Sequence, residues 1–239
     1  MSLANRGDEL FFRLQARELE VETFQKIVFQ RIRKSTKSAF LKLLYKGYPM
    51  KVLGICGSLR EESNTNKLVK KVAEFSECAF ELIYLTKTKV KPCTGCLHCE
   101  KNHGTCIVQD GMQEVYDKLL SAHGIILGSP TYRWDISGAV KCFLDRTIAL
   151  NYRGISSGTN SSTGQRPLAG RPAVAITTTA GGGHKRALKS LTLYFQINRM
   201  NVVGELAEVV GINDIDDMPE VLQRTEEAGK KLGETLRKG

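Results

Sequence analysis

The chain has 239 residues, of which 41% are hydrophobic and 25% are charged, and its formal net charge is +10. This length allows one large domain or two small ones, and the hydrophobic share is ample for a packed core, so we predict a globular protein. No stretch reaches the roughly 18 consecutive apolar residues of a membrane span, and the first residues lack a signal-peptide pattern, so we predict a cytoplasmic protein with no membrane span.

Residues 1–49 are predicted to form a basic helical extension of one or two helices. They hold 10 basic and 5 acidic residues, and their apolar residues recur at helical spacing. Such a charge balance attracts nucleic acid, anionic membranes or an acidic protein, and charge alone does not choose among them. We expect the extension to pack on a neighbouring subunit and stabilise an oligomer, with recruitment to a membrane surface or an acidic partner as the alternative.

From residue 51 onward, short apolar runs alternate with amphipathic stretches. Helices are predicted to begin near Asn66, Asp110, Ser137 and Gly183 and after Pro219, with Asp110 as an N-cap. Residues 150–170 are rich in Gly, Ser and Thr and are predicted to be a long loop. The alternation predicts an α/β domain over residues 50–239 with a five-stranded parallel sheet covered on both faces. The predicted strands are residues 51–56, 80–85, 124–129, 172–178 and 202–210.

The loop after the first predicted strand, GSLREESNTNK at residues 57–67, is rich in hydroxyl and amide side chains. A phosphate at a strand-to-helix turn is held by backbone N–H groups, by the positive end of the helix and by polar side chains. Neither the Walker spacing nor G-x-G-x-x-G is present, and a polar helix-capping turn that binds nothing is the alternative. The candidate phosphate-binding residues are Ser58, Arg60, Ser63, Asn64, Thr65 and Asn66.

Two further loops, after the third and fourth predicted strands, should meet the first loop at the carboxyl edge of the sheet, where doubly wound folds bind ligands. Tyr132 and Trp134 offer flat faces that suit a planar ring system, although aromatic residues that cap a core are the alternative. The run TTTAGGG at residues 177–183 allows close backbone approach to a ligand. The candidate residues are Pro130, Thr131, Tyr132, Arg133, Trp134, Thr178, Ala180, Gly181 and Gly182.

Four of the seven cysteines lie in a cysteine-rich loop at residues 91–109, with the spacing C-x2-C-x2-C-x6-C. Bacterial ferredoxins use C-x2-C-x2-C for three corners of a cubane cluster, and the fourth thiolate comes from elsewhere. Zinc also accepts four thiolates, but its usual sites present two separate C-x2-C pairs. The spacing favours a cluster, with zinc or unligated thiols as alternatives, and Cys56, Cys78 and Cys142 are predicted to be core residues. The candidate ligands are Cys93, Cys96, Cys99 and Cys106.

Three stretches, KVLGICGSLREESNTNKL, SPTYRWDISGAVKCFLDR and TTTAGGG, resemble the NADPH-dependent FMN reductase branch of the flavodoxin-like fold. The cysteine run is similar to that of the iron-sulfur flavoproteins of methanogens and other anaerobes. The resemblance covers residues 50–239 and implies a flavodoxin-like doubly wound sheet. It also implies FMN, with its phosphate in the first loop and its ring against the other two, and a 4Fe-4S cluster on the four cysteines.

The resemblance implies an FMN-dependent oxidoreductase that transfers electrons. We expect electrons to pass from an acidic ferredoxin-like donor through the cluster and FMN to a small acceptor such as a quinone, dioxygen or peroxide. A homodimer or homotetramer is expected, with cluster and flavin working across a subunit boundary, and no nucleic acid partner is expected. The sequence shows no nucleophile arrangement, so no catalytic residue is predicted.

Two alternatives stay open. One is an NAD(P)H-dependent FMN or quinone reductase whose cysteines are structural or bind zinc. The other is a non-enzymatic flavodoxin-like redox sensor or binding module, in which the helical extension recruits a partner. The first predicts hydride transfer without iron, and the second predicts flavin binding with negligible turnover.

Overall fold

The computed structural model describes residues 50–153 and 166–238. The extension at residues 1–49 and much of the predicted loop at 150–170 lie outside this part of the chain, so the predictions made for them stay predictions. The strands are β1 (Lys51–Cys56), β2 (Ala79–Tyr84), β3 (Gly124–Tyr132), β4 (Asp135–Ile136), β5 (Pro172–Thr179) and β6 (Asn201–Val209).

The helices follow the strands as the sequence predicts. In chain order they are α1 (Asn64–Phe75), α2 (Leu85–Thr88), α3 (His98–Lys101), α4 (Met112–Ser121), α5 (Gly138–Arg146), α6 (His184–Ile197) and α7 (Pro219–Lys238). Short 3-10 helices cover Thr147–Tyr152 and Ile215–Asp217. Within the described ranges, every helix is too short or too polar to cross a membrane.

Five strands form one parallel sheet in the order β2-β1-β3-β5-β6. The chain leaves β1 toward β2 and then returns to the other side of β1, so the switch point lies between β1 and β3, as in flavodoxin-like sheets. The sequence predicted five strands, and β4 is a sixth, a two-residue strand antiparallel to the end of β3. A strand of two residues has no alternation to detect, so it could not be predicted from the sequence.

The central strands are buried on both faces, because helices cover both sides of the sheet. Successive side chains of a strand point to opposite faces, so β1 contributes to two cores. Leu53 and Ile55 pack with α4, α5 and α6, whereas Val52 and Cys56 pack with α1 and α7. Burial raises the pKa of Cys56 to about 12, which confirms it as a core residue. Cys78 and Cys142 are only half-buried.

Candidate cofactor sites

The first two predicted ligand loops meet at the switch point. The Gly57 N–H donates to the Gly128 carbonyl at 3.0 Å, and the Ser137 hydroxyl donates to the Gly57 carbonyl at 3.0 Å. A Cβ on Gly57 would lie 2.2 Å from the Gly128 oxygen and 2.2 Å from Cγ2 of Val140, so only glycine fits. The end of β1 is therefore locked against the end of β3, and the loops that follow these strands begin side by side.

The first loop is held in shape by its own side chains. Ser63 has extended backbone and caps α1, accepting from the Asn66 N–H at 3.2 Å. The Asn66 amide accepts from the Ser58 N–H at 3.3 Å and donates to the Arg60 carbonyl at 3.0 Å. The first turn of a helix has N–H groups without intrahelical acceptors, so those of Asn64 and the next residue remain for an anion. The loop thus forms a cradle of N–H donors that suits a phosphate.

Asn64 connects this loop to the segment after β6. Its side-chain amide donates to the Asn213 carbonyl at 2.8 Å, and its oxygen accepts from the Ile215 N–H at 3.2 Å. Lys67 of α1 pairs with Asp214, which lies in the same segment after β6, at 2.5 Å. The side-chain groups of Asn64 and Asn66 thus already have backbone partners, and their clearest role is to hold the cradle. Arg60 lies exposed at its rim.

The first loop also connects to the third. The hydroxyls of Thr65 and Thr178 lie 2.6 Å apart, and both residues are buried. Thr65 belongs to the first turn of α1 and Thr178 lies near the end of β5, opposite Pro130 in the strand register. The structure therefore brings the three loops together along one edge, as the sequence predicted.

The second loop is a tight hairpin between β3 and β4. Its central residues, Arg133 and Trp134, have φ of 48° and 71°, a left-handed pair typical of type I′ turns. Such turns usually contain asparagine or glycine, so this loop holds two larger side chains in a costly conformation. Trp134 is 64% exposed and Tyr132 45% exposed, so both aromatic side chains lie largely outside the core.

Asp135 anchors the hairpin to α6. Its carboxylate accepts from the Ser190 hydroxyl at 2.7 Å and from Nε of Arg186 at 3.3 Å. Burial raises the pKa of Asp135, but these bonds and the Ile136 N–H outweigh burial and hold the pKa below its usual value. The carboxylate therefore stays ionised, and it ties the hairpin that carries Tyr132 and Trp134 to α6.

The third loop packs directly on the hairpin. Gly183 has φ of 85°, and a Cβ there would lie 2.8 Å from the Trp134 Cα and 3.1 Å from Cγ2 of Thr131. Thr179 shapes the loop, accepting from the Gly181 N–H at 3.3 Å and donating to the Gly182 carbonyl at 2.8 Å. The hydroxyl of Thr131 is buried and has no partner among the described residues. The third loop and the hairpin therefore pack closely against each other.

The four candidate thiols line one pocket that is partly open to solvent. Cys93 and Cys96 are exposed, whereas Cys99 and Cys106 are half-buried and pack against the core. Within residues 50–153 and 166–238, no three His, Cys, Asp or Glu side chains are placed to share a single metal ion. The thiols thus surround a common space without meeting at one point.

Left-handed residues bend the cysteine-rich loop around this pocket. Leu97 has φ of 57° and Gly104 has φ of 81°, and the Gly104 N–H donates to the Cys99 carbonyl at 2.8 Å. A Cβ on Gly104 would lie 2.6 Å from the Ala149 oxygen, so this turn requires glycine. The bend at Gly104 returns the chain toward the pocket, and the fourth cysteine reaches it as the spacing predicted.

The thiols have different electrostatic surroundings. Hydrogen bonds from the His98 N–H and the Thr94 hydroxyl lower the pKa of Cys96. Burial raises the pKa of Cys99, and the neighbouring thiols at Cys106 and Cys93 raise it further. Thiolates so close together repel one another unless a cation or a cationic cluster lies between them.

A buried ion pair holds the two ends of the cysteine-rich loop together. Arg146 donates to both carboxylate oxygens of Asp110, at 2.7 and 3.2 Å, and the two side chains are 0% and 4% exposed. The same guanidinium donates to the carbonyls of Lys91 at 3.1 Å and Val108 at 3.0 Å. Asp110 also accepts from the Lys91 N–H at 2.8 Å and from the Met112 N–H at 2.9 Å. The N-cap of α4 is Gly111, so the predicted cap at Asp110 is wrong by one residue. One arginine therefore joins the two ends of the cysteine-rich loop.

Sequence reasoning missed Arg146 as a functional candidate. The signal was present in the α5 sequence, since Val140, Phe143 and Arg146 recur every three residues on one helix face. A charged residue at a core position of an amphipathic helix is rarely buried without a partner, so it predicts a buried ion pair. The partner, 36 positions away at Asp110, was not visible in the sequence.

Residues 50–213 match the family of NADPH-dependent FMN reductases. An iron-sulfur flavoprotein of Methanosarcina thermophila is 28% identical over 192 residues, which cover 78% of this chain and 95% of that protein. Iron-sulfur flavoprotein MJ1083 of Methanocaldococcus jannaschii is 35% identical over 160 residues, 65% of this chain and 77% of that protein. A solved NAD(P)H:quinone oxidoreductase from Methanothermobacter marburgensis has a TM-score of 0.57 at 14% identity, covering 76% and 98% of the two chains, and shows the shared fold.

Proposed function

Since this chain belongs to the NADPH-dependent FMN reductase family and is an FMN-dependent oxidoreductase of flavodoxin-like fold, we propose that it is an electron-transfer flavoprotein. In this proposal the protein holds FMN at the switch point and a 4Fe-4S cluster on Cys93, Cys96, Cys99 and Cys106. The observation that supports the second cofactor is the convergence of these four thiols on one pocket. The relatives named iron-sulfur flavoproteins support it independently.

The three ligand loops suit FMN. The N-terminal turn of α1 and the closed first loop offer N–H groups to one phosphate, and Arg60 at the rim offers a positive charge. The exposed rings of Tyr132 and Trp134 and the glycine loop beside them form the walls for a flat ring system. Among residues 50–153 and 166–238, no second phosphate cradle follows the first, which favours FMN over FAD.

The cysteine pocket suits a cluster better than a single zinc ion. The four thiols lie in one run with the spacing C-x2-C-x2-C-x6-C, whereas the usual zinc sites present two separate C-x2-C pairs, so the spacing favours a cluster. A cubane has four iron corners for four separated thiolates, and the apolar side chains of Leu97, Ile107 and Ile148 shield it from water.

When bound, FMN accepts or delivers two electrons and a cluster transfers one at a time, so the pair connects one-electron donors to two-electron acceptors. The chain supplies the loops that hold the two cofactors. The loops hold the two cofactors at opposite ends of α5, since Ser137 caps its first turn at the switch point and Arg146 ends it at the cysteine pocket. We propose an acidic ferredoxin-like donor, because the chain is basic, and a small acceptor such as a quinone, dioxygen or peroxide.

The proposal includes a homodimer or homotetramer in which cluster and flavin work across a subunit boundary. The apolar side chains around the cysteine pocket support a covered surface there, since Leu97 and Ile107 are each 55% exposed and Ile148 is 37% exposed. Sedimentation of the native protein and of a Leu97→Lys variant measures this. A dimer that the variant weakens is the expected result, and a monomeric native protein contradicts it.

The test of the function is the cofactor content of protein purified without oxygen. We expect about one FMN per chain, about four iron and four sulfide per chain, no stoichiometric zinc, and a broad visible absorption beside the flavin bands. A Cys93→Ala variant should lose iron and keep FMN, whereas the half-buried Cys142→Ala control should keep both. Stoichiometric zinc with NAD(P)H oxidation would instead support the flavin or quinone reductase, and FMN without turnover would support a redox sensor.

A further inference from the structure

We propose that an acidic electron-donor protein docks on Lys87, Lys89 and Lys91, a lysine ridge that leads to the cysteine pocket. The inference rests on the proposed function, because it concerns the donor that delivers electrons to the four cysteines. It assigns to that donor one surface, next to the cysteines and away from the three ligand loops.

The lysine ridge follows the edge strand β2 and ends beside the first cysteine. Residues 85–92 contain three lysines and no acidic residue, and all three lysines are exposed. Cys93 follows shortly after Lys91, is also exposed and lines the cysteine pocket. A protein that contacts the ridge therefore lies close to the proposed entry point for electrons.

The charges of the lysine ridge are largely uncompensated. Lys89 and Lys91 have no carboxylate partner among the described residues. Lys87 pairs with Glu61 at 3.5 Å, and the two side chains of this pair are 66% and 63% exposed, so the pair is weak. Every lysine of α1, by contrast, pairs with a carboxylate of the chain. The three ammonium groups of the ridge are therefore available to carboxylates of another protein.

The backbone holds the lysine ridge in a fixed position. Val90, between the last two ridge lysines, packs against the core. The Lys91 N–H donates to Asp110 at 2.8 Å, and the Lys91 carbonyl accepts from Arg146 at 3.1 Å. Both partners are buried in their own ion pair. The ridge is therefore preorganised, and a docking protein does not have to order its backbone on binding.

Lysine at position 89 is not explained by the local backbone. Lys89 ends α2 with φ of 51° and ψ of 48°, a left-handed conformation in which glycine or asparagine is usual. A Cβ is unfavourable in this conformation, so the helix end alone does not favour lysine. What lysine adds is an exposed positive charge between two others, and such an array fits the recognition of an acidic surface.

The test is rapid mixing of the holoprotein with a reduced, acidic bacterial ferredoxin over a range of ionic strengths. In the ridge variant, all three lysines of the ridge are replaced by glutamine. We expect its second-order rate constant for flavin reduction to fall at least about tenfold at an ionic strength of about 0.01 M, where the Debye length is about 30 Å. At about 1 M the Debye length is about 3 Å, and the rate constants of the wild type and the ridge variant should agree.

The matched control removes the same charge from other exposed lysines, which lie on α6 and α7 and have no ion pair among the described residues: Lys185→Gln/Lys189→Gln/Lys231→Gln. The control should stay within about twofold of the wild type at low ionic strength. Equal slowing of both variants would show an effect of net charge alone, and slowing of the control alone would place the donor elsewhere; either result overturns the inference.

Unchanged rates in the ridge variant would also overturn it, and because the assay uses the native assembly, this includes a ridge that a second copy covers. If the ridge instead binds vesicles of anionic phospholipid, the ridge variant would lose vesicle binding and keep the wild-type rate with ferredoxin, which counts against a protein donor. A wild-type protein that lacks iron, or whose flavin is not reduced by ferredoxin, would refute the proposed function itself, and this is known before any variant is compared.

A measurement on the wild-type protein needs no substitution and so does not depend on a variant that folds. Oxidised ferredoxin is cross-linked to the holoprotein with a carbodiimide, which joins carboxylates to lysines, and the linked lysines are identified by mass spectrometry. We expect links at the lysine ridge at low ionic strength and their loss at high ionic strength. Links that are confined to lysines outside the ridge would overturn the proposed docking surface.

Discussion

Replacement of Gly183 by alanine should weaken flavin binding, because this glycine supports the contact between two of the three ligand loops. Its φ of 85° is a conformation that alanine adopts only with strain. The new Cβ would also lie 2.8 Å from the Trp134 Cα and 3.3 Å from Cε3 of the same ring. The first of these is a contact with backbone, so the hairpin or the glycine loop has to move.

The expected size of the effect follows from the strained φ and from the close contact of the new Cβ with Trp134. A non-glycine residue held in the left-handed region costs about 1–3 kcal/mol. If the loop keeps its shape, unfolding becomes easier by this amount; if it relaxes, FMN loses its preformed wall and binds roughly 5- to 150-fold more weakly. Titration of the apoprotein with FMN, followed by quenching of flavin fluorescence, gives the affinity, and urea unfolding gives the stability.

Gly181→Ala is the matched control in the same loop. A Cβ at Gly181 meets no protein atom within 4 Å, and its φ lies outside the left-handed range, so the free energy of unfolding should stay near wild type. The reasoning is refuted if Gly183→Ala behaves as Gly181→Ala does in both measurements.

Three further predictions concern the loop base and the first loop. Asp110→Asn should lower the free energy of unfolding by about 3–5 kcal/mol by leaving a buried guanidinium unpaired, whereas Asp117→Asn, at an exposed pair, should cost under about 1 kcal/mol in urea unfolding. The pKa of Asp110 is lowered in the folded protein, so the ionised carboxylate contributes its full stabilisation above a pH of about 3.9, and this stabilisation is lost as the pH falls further. The urea midpoint of Asp110→Asn should therefore depend less on acid pH than that of the wild type. An unchanged dependence of the midpoint on pH would contradict this. Thr65→Val should leave the Thr178 hydroxyl without its partner at 2.6 Å and weaken FMN binding about tenfold by fluorescence titration, while Thr235→Val on α7 should not.

Much of the fold was predictable because its signals are local. Apolar runs and amphipathic stretches alternate in the sequence, and the helices begin within two residues of the predicted starts at Asn66, Asp110, Ser137 and Gly183. The convergence of the three ligand loops then followed from topology, since parallel strands place their carboxyl ends at one edge.

The parts that were not predictable depend on contacts between distant residues. Asn64 was proposed as a phosphate donor, but its amide bonds the segment near Asn213, 149 positions away. The ion pair between Arg146 and Asp110 joins α5 to the start of α4, and only the arginine half left a trace in the helix pattern. The hairpin at Arg133 has no glycine or asparagine, so turn chemistry gave no sign of its left-handed pair.

The most direct test of the proposed electron transfer is the rate at which a reduced bacterial ferredoxin reduces the bound FMN. Wild-type protein and a Cys93→Ala variant, each with a full complement of FMN, are mixed rapidly with the reduced ferredoxin under anaerobic conditions, and the flavin absorbance is followed. We predict that FMN in the variant is reduced at least about tenfold more slowly, because the route through the cysteine pocket is lost, while Cys142→Ala matches the wild type. Equal rates in the wild type and in Cys93→Ala would contradict the proposal that electrons reach FMN through these four cysteines.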